Sequence, residues 1–166
     1  MRGGGFTACV MLIVSLAAVR AACADDEQPP AAMMAPVREL AAFMSRLPQG
    51  APAGVFARHG VCIVENFAPF LFCGAHAAAR WEQGFRAHAA DLGELVATFG
   101  AAHDFTQTGD RAYFSLPTTW TGLDAGKRFE EHGAWAFVLQ RTGTADAVRW
   151  RILSYGWGVT AYTESP

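Results

Sequence analysis

The sequence predicts an α+β domain in which a curved antiparallel sheet packs on helices from the N-terminal half of the chain. Two segments before residue 93 repeat apolar residues at the three- and four-residue spacing of a helix. From Glu94 the period changes to two, and turn sequences such as Gly109-Asp110 divide the rest into strands. The 166 residues are 52% hydrophobic and 17% charged, which suits one domain with a substantial core.

The first 24 residues predict a cleaved signal peptide. Arg2 precedes an apolar stretch, and Ala22-Cys23-Ala24 is a small-x-small cleavage site. A lipid anchor at Cys23 and an uncleaved anchor are the alternatives. The expected location is therefore periplasmic or secreted, without stable membrane insertion after cleavage. Residues 25–35 are polar and rich in Pro and Ala, and are expected to form a flexible lead-in to a domain spanning 36–166.

Two helices are predicted in the first half of the domain. Helix one begins at Pro36, because a first-turn Pro loses no hydrogen bond. It ends before Pro48, and its apolar face is formed by Val37, Leu40, Met44 and Leu47. Helix two covers about residues 75–92, with an apolar stripe of Ala78, Trp81, Phe85, His88 and Leu92.

A short hairpin is expected between these helices. His59–Asn66 alternates like a strand, with Val61, Ile63 and Glu65 on one face. Ala68-Pro69 then turns the chain. The turn makes Cys62 and Cys73 cross-strand neighbours, and export would permit a disulfide between them.

Four long strands complete the predicted sheet: 94–107, 111–122, 127–141 and 148–159. Treating their turns as simple hairpins fixes the cross-strand pairs. These are Phe105 with Phe114, His103 with Leu116, Trp120 with Phe129, Thr118 with Glu131, Phe114 with Trp135, Phe137 with Ile152, and Leu139 with Trp150. One face is strongly apolar and needs a cover of helices. The other carries Tyr113, Ala134, Ala136, Leu153 and Tyr155, and predicts a homodimer.

The order of elements resembles the nuclear transport factor 2-like superfamily, in its polyketide-cyclase (SnoaL)-like branch. The segments that carry the resemblance are "VENFAPFLFCGAHAAARW", "TGDRAYFSLPTTW", "FEEHGAWAFVLQ" and "WRILSYGWG". The resemblance implies a cone-shaped sheet plugged by helices. It also implies a general base nine residues before the Gly that opens the second helix, which here is Glu65 before Gly74. No match to the tyrosine and second acid of the ketosteroid-isomerase-like enzymes is apparent.

Three titratable residues are predicted to face the apolar interior as candidate catalytic groups: Glu65, His103 and Glu131. Burial raises the pKa of a carboxyl and prepares it to carry protons. The candidate ligand-binding residues are Phe67, Trp81, Phe85, Phe114, Thr118, Trp120 and Trp135. In the structural alternative, Glu65 pairs with Arg58 or backbone amides, Glu131 accepts from Thr118 or an indole, and the tryptophans are core.

Composition and spacing exclude several function classes. The net charge of −2 and the scattered Lys and Arg argue against nucleic acid. No histidine pattern predicts a metal, and no glycine-rich phosphate loop predicts a cofactor. Two hypotheses remain. The first is a module that binds a small apolar or aromatic molecule. The second is a cofactor-free isomerase, dehydratase or cyclase with Glu65 as general base. The sequence does not identify the ligand.

Overall fold

The computed structural model describes residues 27–46, 54–144 and 147–165. The predicted signal peptide, its cleavage site and Leu47 lie outside these ranges. The elements follow the predicted order, with two helices before a meander of long strands. They are α1 (Ala31–Ser45), β1 (Cys62–Val64), β2 (Leu71–Cys73), α2 (Ala77–His88), β3 (Leu92–Phe99), β4 (His103–Thr108), β5 (Arg111–Asp124), β6 (Lys127–Thr142) and β7 (Arg149–Ser165).

One curved sheet contains all seven strands, in the order β2-β1-β7-β6-β5-β3, with β4 also pairing with β5. Every pairing is antiparallel except that of β1 with β7, which is parallel. The α+β class is confirmed, and the sheet is mixed. Within the described ranges, no helix is long and apolar enough to cross a membrane.

Helix α1 begins at Ala31, so part of the predicted flexible lead-in is helical. Pro36 lies inside the helix instead of opening it. The preceding turn is held because Met33 and Met34 are buried, with 3% and 9% of their surface exposed. Burial of two large side chains stabilises this turn by a few kcal/mol, enough to offset the hydrogen bond that Pro36 cannot donate.

The hairpin of β1 and β2 carries Glu65 into the interior. Ile63 is fully buried and Val64 is exposed, so Glu65 shares the inner face as predicted. The backbone N–H of Glu65 donates to Phe70 O at 3.0 Å, closing the turn. Cys62 and Cys73 are cross-strand partners joined by a disulfide.

The first long strand of the prediction is divided into β3 and β4, which run along the same edge of β5. A β-bulge interrupts each, at Glu94 (φ 52°) and at Asp104 (φ 57°). The second bulge places His103 opposite Ser115 and not opposite Leu116. An extra residue reverses the direction of the preceding side chains. His103 is consequently exposed on the outer face, and its predicted inward orientation is wrong.

The hairpin of β5 and β6 turns at Ala125-Gly126, one residue later than predicted, because both residues adopt positive φ. Trp120 therefore lies opposite Glu131, while Phe129 lies opposite Gly122. For the predicted pairs Thr118–Glu131 and Phe114–Trp135, the observed partner in β6 also lies two residues further along the strand. A shift of two preserves the face, so the apolar inner face is confirmed.

Strand β7 contains a bulge that changes which side chains enter the core. Leu139 lies opposite Ile152, but Val138 lies opposite Ser154, so Leu153 is an extra residue. The predicted pairing of Leu139 with Trp150 is therefore wrong. Between this bulge and a second one at Thr160 the odd-numbered residues point inward, and Tyr155 is 1% exposed. Its predicted place on the outer face is wrong.

Candidate functional site

A cavity of about 180 Å³ lies between the inner face of the sheet, the end of α1 and the end of α2. An engineered apolar cavity of about 150 Å³ holds benzene, so this volume suits a small ring compound. Six phenylalanine and tryptophan side chains form much of its wall: Phe67, Phe85, Trp120, Phe129, Trp135 and Trp157. Five titratable groups also line it: Glu65, His88, Asp124, Glu131 and Tyr162.

Glu65 is the most deeply buried carboxylic acid in the cavity wall, with 5% of its surface exposed. Two side chains donate hydrogen bonds to the same oxygen, Oε1. One is the Nε1–H of Trp81, at 2.9 Å, and the other is the hydroxyl of Tyr155. Oε2 accepts from no side chain among the described residues. The two donors fix the plane of the carboxyl group through Oε1.

Burial raises the pKa of Glu65 from 4.5 to about 7. The hydrogen bonds from Tyr155, Trp81 and the Asn66 backbone favour the charged form and oppose this rise. Burial and the nearby Glu65 charge also raise the pKa of Tyr155 well above 10. Tyr155 therefore remains a protonated donor at neutral pH. Glu65, in contrast, is divided between its charged and neutral forms there.

Glu131 projects into the same cavity from β6. It is half-buried, and its Oε1 accepts a hydrogen bond from Trp157 Nε1–H at 3.1 Å. Burial raises its pKa, and the hydrogen bond from Trp157 partly opposes this. Its charge contributes to the raised pKa of Glu65, so the two carboxyls interact electrostatically. Two such groups in one cavity can exchange protons with one ligand.

His88, at the end of α2, also lines the cavity. Its ring stacks on Phe67, with centroids 4.8 Å apart and planes inclined by 17°. Burial lowers the pKa of His88, although the charge of Asp124 opposes this. Its imidazole is therefore mainly neutral at pH 7 and adds little positive charge to the cavity.

The structure brings together only part of the predicted site. Glu65 and Glu131 line the cavity, as do Phe67, Phe85, Trp120 and Trp135. Trp81 lies behind Glu65 as its hydrogen-bond donor. Phe114 is fully buried in the sheet core, and the Thr118 hydroxyl donates to Leu116 O at 3.0 Å. Neither lines the cavity, and His103 lies outside it.

Sequence reasoning missed Tyr155 and Trp157, which hold the two cavity carboxyls. Alternation placed Tyr155 on the opposite face of the sheet and left Trp157 unassigned. The available signal was the pair Gly156 and Gly158, since glycine within a strand often marks a bulge that changes the face. The bulge lies just before them, at Leu153.

One buried donor in the wall has no partner. The Nε1–H of Trp135 makes no hydrogen bond to any described residue. A buried donor without an acceptor costs about 1–3 kcal/mol. Among the described residues, no cluster of three or more His, Cys, Asp or Glu side chains could hold a metal ion.

Solved structures share this fold at low sequence identity. A type 2 hexachlorocyclohexane dehydrochlorinase has a TM-score of 0.67 and 9% identity, covering 82% of this chain and 88% of that chain. A protein from Novosphingobium aromaticivorans assigned as a scytalone dehydratase has a TM-score of 0.64 and 9% identity, covering 81% and 86%. A protein from Shewanella frigidimarina assigned as a ketosteroid isomerase has a TM-score of 0.57 and 21% identity, covering 76% and 94%.

No protein-family model and no curated protein matches the chain. The structural likeness establishes the fold and confirms the nuclear transport factor 2-like architecture implied by the sequence.

Proposed function

We propose that the cavity binds a small apolar or aromatic molecule with a carbonyl group, and that Glu65 removes a proton from the carbon beside it. The protein would thus be a cofactor-independent isomerase, dehydratase or cyclase. The observation that carries this proposal is the buried Glu65 carboxyl, whose pKa of about 7 makes it an effective base at neutral pH.

The proposed step transfers one proton. Glu65 in its charged form takes the proton through Oε2, while the C–H bonding electrons move into the carbonyl and form an enolate. Protonated Glu65 then returns the proton to a different atom of the ligand. Trp81 and Tyr155 act as positioning residues, since they hold Oε1 and do not line the ligand space.

Glu131 is proposed as the second group in this reaction. In its protonated form, toward which burial raises its pKa, the Glu131 carboxyl can donate a hydrogen bond to the developing enolate oxygen. An apolar wall excludes water and strengthens this interaction.

A module that only binds a ligand is the second hypothesis, and one observation separates the two. A carboxyl held for structure is commonly paired with a cation, whereas Glu65 and Glu131 make no ion pair with any described residue. Their donors are an indole, a phenol and a second indole, all uncharged. Neutral partners leave both carboxyls able to gain and lose a proton.

Proton exchange provides the direct test. The purified protein would be mixed in D₂O with a panel of small cyclic and aromatic ketones, and loss of each signal beside the carbonyl followed by NMR. We expect catalysed exchange for at least one compound, and its loss in Glu65→Gln. Quenching of tryptophan fluorescence would report binding separately, because Trp120, Trp135 and Trp157 line the cavity.

Glu130→Gln is the matched control. Glu130 is the exposed neighbour of Glu131, and its Oε1 lies 2.7 Å from His132 Nε2, outside the cavity. This variant should exchange like the wild type. Binding without exchange would support the binding module instead. Equal exchange in the wild type and Glu65→Gln would exclude Glu65 as the base.

Export and self-association also belong to the proposal. Cleavage after Ala24 would leave a mature chain beginning at Asp25, which intact-mass analysis of the exported protein would detect. We propose a two-fold dimer through the central outer face of the sheet, around Tyr113, Ala134 and Ala136. A monomer mass in light scattering at high concentration would exclude it.

A further inference from the structure

A second concave site lies on the outer face of the sheet, away from the cavity of Glu65. It is a cleft of about 730 Å³. Its wall contains four arginines, one histidine and two neutral hydrogen-bonding side chains: Arg58, Arg111, Arg149, Arg151, His59, Gln140 and Thr142. The cleft is at the far end of the long strands. Gln140 is nine residues from Glu131 along β6, or about 30 Å.

The sheet register assembles this cleft from residues that are distant in sequence. Arg111 lies opposite Gln140, and Gln140 lies opposite Arg151, which makes one row across β5, β6 and β7. Thr142 lies opposite Arg149 in the next outward row. Residue alternation points both rows outward, and Arg58 joins them from the segment before β1.

The charge of the cleft is concentrated and positive. It holds four of the 13 Lys and Arg residues of a chain whose net charge is −2. No acidic residue is among its described lining residues. Arg111 contacts Asp110 at 2.6 Å, and Arg151 donates to Gly54 O. Arg58 and Arg149 make no ion pair with any described residue.

We propose that this cleft binds a phosphate-type oxyanion. A phosphate group has several acceptor oxygens and one or two negative charges, and guanidinium groups bind such oxygens in pairs. The permanently charged side chains lining the cleft are all arginines, and Gln140 and Thr142 add neutral polar groups at the same rows. The group could belong to a free small phosphate or to a phospholipid headgroup, since both present non-bridging phosphate oxygens.

The cleft is independent of the proposed proton-transfer site. It opens on the opposite face of the sheet, and none of its lining residues lines the inner cavity. Phosphate binding should therefore leave the tryptophan fluorescence of the cavity unchanged, which separates failure of one proposal from failure of the other.

The test uses NMR titration of the full-length mature protein. Inorganic phosphate and glycerol 3-phosphate would be added to ¹⁵N-labelled protein, and backbone shifts around 140–142 and 149–151 followed. Vesicles of phosphatidylcholine with and without phosphatidylglycerol would test the lipid source by co-sedimentation. We expect Arg58→Gln/Arg149→Gln to weaken binding at least tenfold. Raising the NaCl concentration should weaken it further.

Arg38→Gln is the matched control, because Arg38 is exposed on α1 and lines neither site. It removes one charge without altering the cleft and should bind like the wild type. Small phosphates that shift cleft residues would identify a soluble ligand. Binding only to the anionic vesicles, lost in the double variant, would identify a headgroup. No binding to either probe, or equal binding by the double variant and Arg38→Gln, would overturn the proposal.

Discussion

Glu65 and Glu131 face one cavity from two regions of the fold that differ in how far they bury a carboxyl and how they hydrogen-bond it. Glu65, after β1, is 5% exposed and accepts from two side chains, Trp81 and Tyr155. Glu131, in β6, is half-buried and accepts from Trp157 alone. The better hydrogen-bonded carboxyl nevertheless has a pKa raised to about 7. Loss of water around the charge therefore outweighs two hydrogen bonds to it.

The comparison suggests different roles for the two carboxyls. A base needs a proton affinity matched to the working pH, which burial gives Glu65. A hydrogen-bond donor needs access to the ligand, which the more open position gives Glu131, and a protonated form, toward which burial raises its pKa. The following changes test this division, from the largest expected effect to the smallest.

Replacing each glutamate with glutamine should have unequal effects on proton exchange. Glu65→Gln cannot accept the proton and should lower kcat/KM at least 100-fold, within the usual contribution of a general base. Glu131→Gln keeps an N–H donor at the same position and should lose only about tenfold. Exchange rates in D₂O would measure both. Equal losses, or a larger loss for Glu131→Gln, would contradict the assigned roles.

Stability should fall with rising pH because of Glu65. The folded protein keeps this proton up to about pH 7, whereas the unfolded chain releases it near 4.5. The folded state therefore binds more protons in this window, and its free energy of unfolding should decrease there by about 3 kcal/mol. Urea unfolding of the wild type from pH 4 to 8 would measure this decrease.

Glu65→Gln should remove most of that pH dependence, and Glu130→Gln should retain it. If the wild type instead gains stability between pH 4.5 and 7 relative to Glu65→Gln, the pKa of Glu65 is not raised in the folded protein.

The disulfide joins β1 and β2, the hairpin that carries Glu65. Cys62 and Cys73 are 11 residues apart, and a cross-link over so short a loop contributes about 2–3 kcal/mol. Cys62→Ser/Cys73→Ser should lower the free energy of unfolding by that amount. Chemical denaturation with and without reductant would measure it, and the double variant should no longer respond to reductant. A wild type insensitive to reductant would contradict the prediction.

Tyr155→Phe should alter the pKa of Glu65 with almost no change in side-chain volume. Removing the hydroxyl takes one hydrogen bond from the charged carboxylate, so the pKa of Glu65 should rise by about one pH unit. Titration of ¹³C-labelled glutamate carboxyls by NMR would measure it. Trp157→Phe is the comparison, because it should raise the pKa of Glu131 and leave that of Glu65 nearly unchanged. No change in Tyr155→Phe would mean that the Tyr155 hydroxyl does not contribute to the pKa of Glu65.

The features that the sequence predicted correctly are those that depend on the spacing of residues within one helix or strand. The apolar face of the first helix from Val37 to Met44, the buried Trp81 and Phe85 of the second, the inner face of the sheet and the inward Glu65 all follow from local spacing. The second helix ends at His88, however, and Leu92 of its predicted stripe begins β3. The bulges at Asp104 and Leu153 were not predicted, because one extra residue reverses alternation without changing composition. His103 was consequently placed inside, and Tyr155 outside.

The sequence also did not predict how strands that are distant in the chain pair with one another. The arginines are scattered along the sequence, which argued against an extended phosphate-binding surface. Cross-strand register nevertheless brings Arg111, Arg149 and Arg151 into one cleft with Arg58. Charge patterning along a β-rich chain therefore says little about charge on its folded surface until the register is known.

The extra residue at Leu153 gives β7 one position at which its length can change without loss of register. Arg151 faces the outer cleft before this point, and Tyr155 faces the core after it. Without Leu153, Ile152 would still lie opposite Leu139 and Ser154 opposite Val138, so Ile152 and Tyr155 would keep facing inward. Loss of Gly156, by contrast, would turn Trp157 outward. Among natural variants of this protein, a gap should therefore be tolerated far more often at position 153 than at position 156.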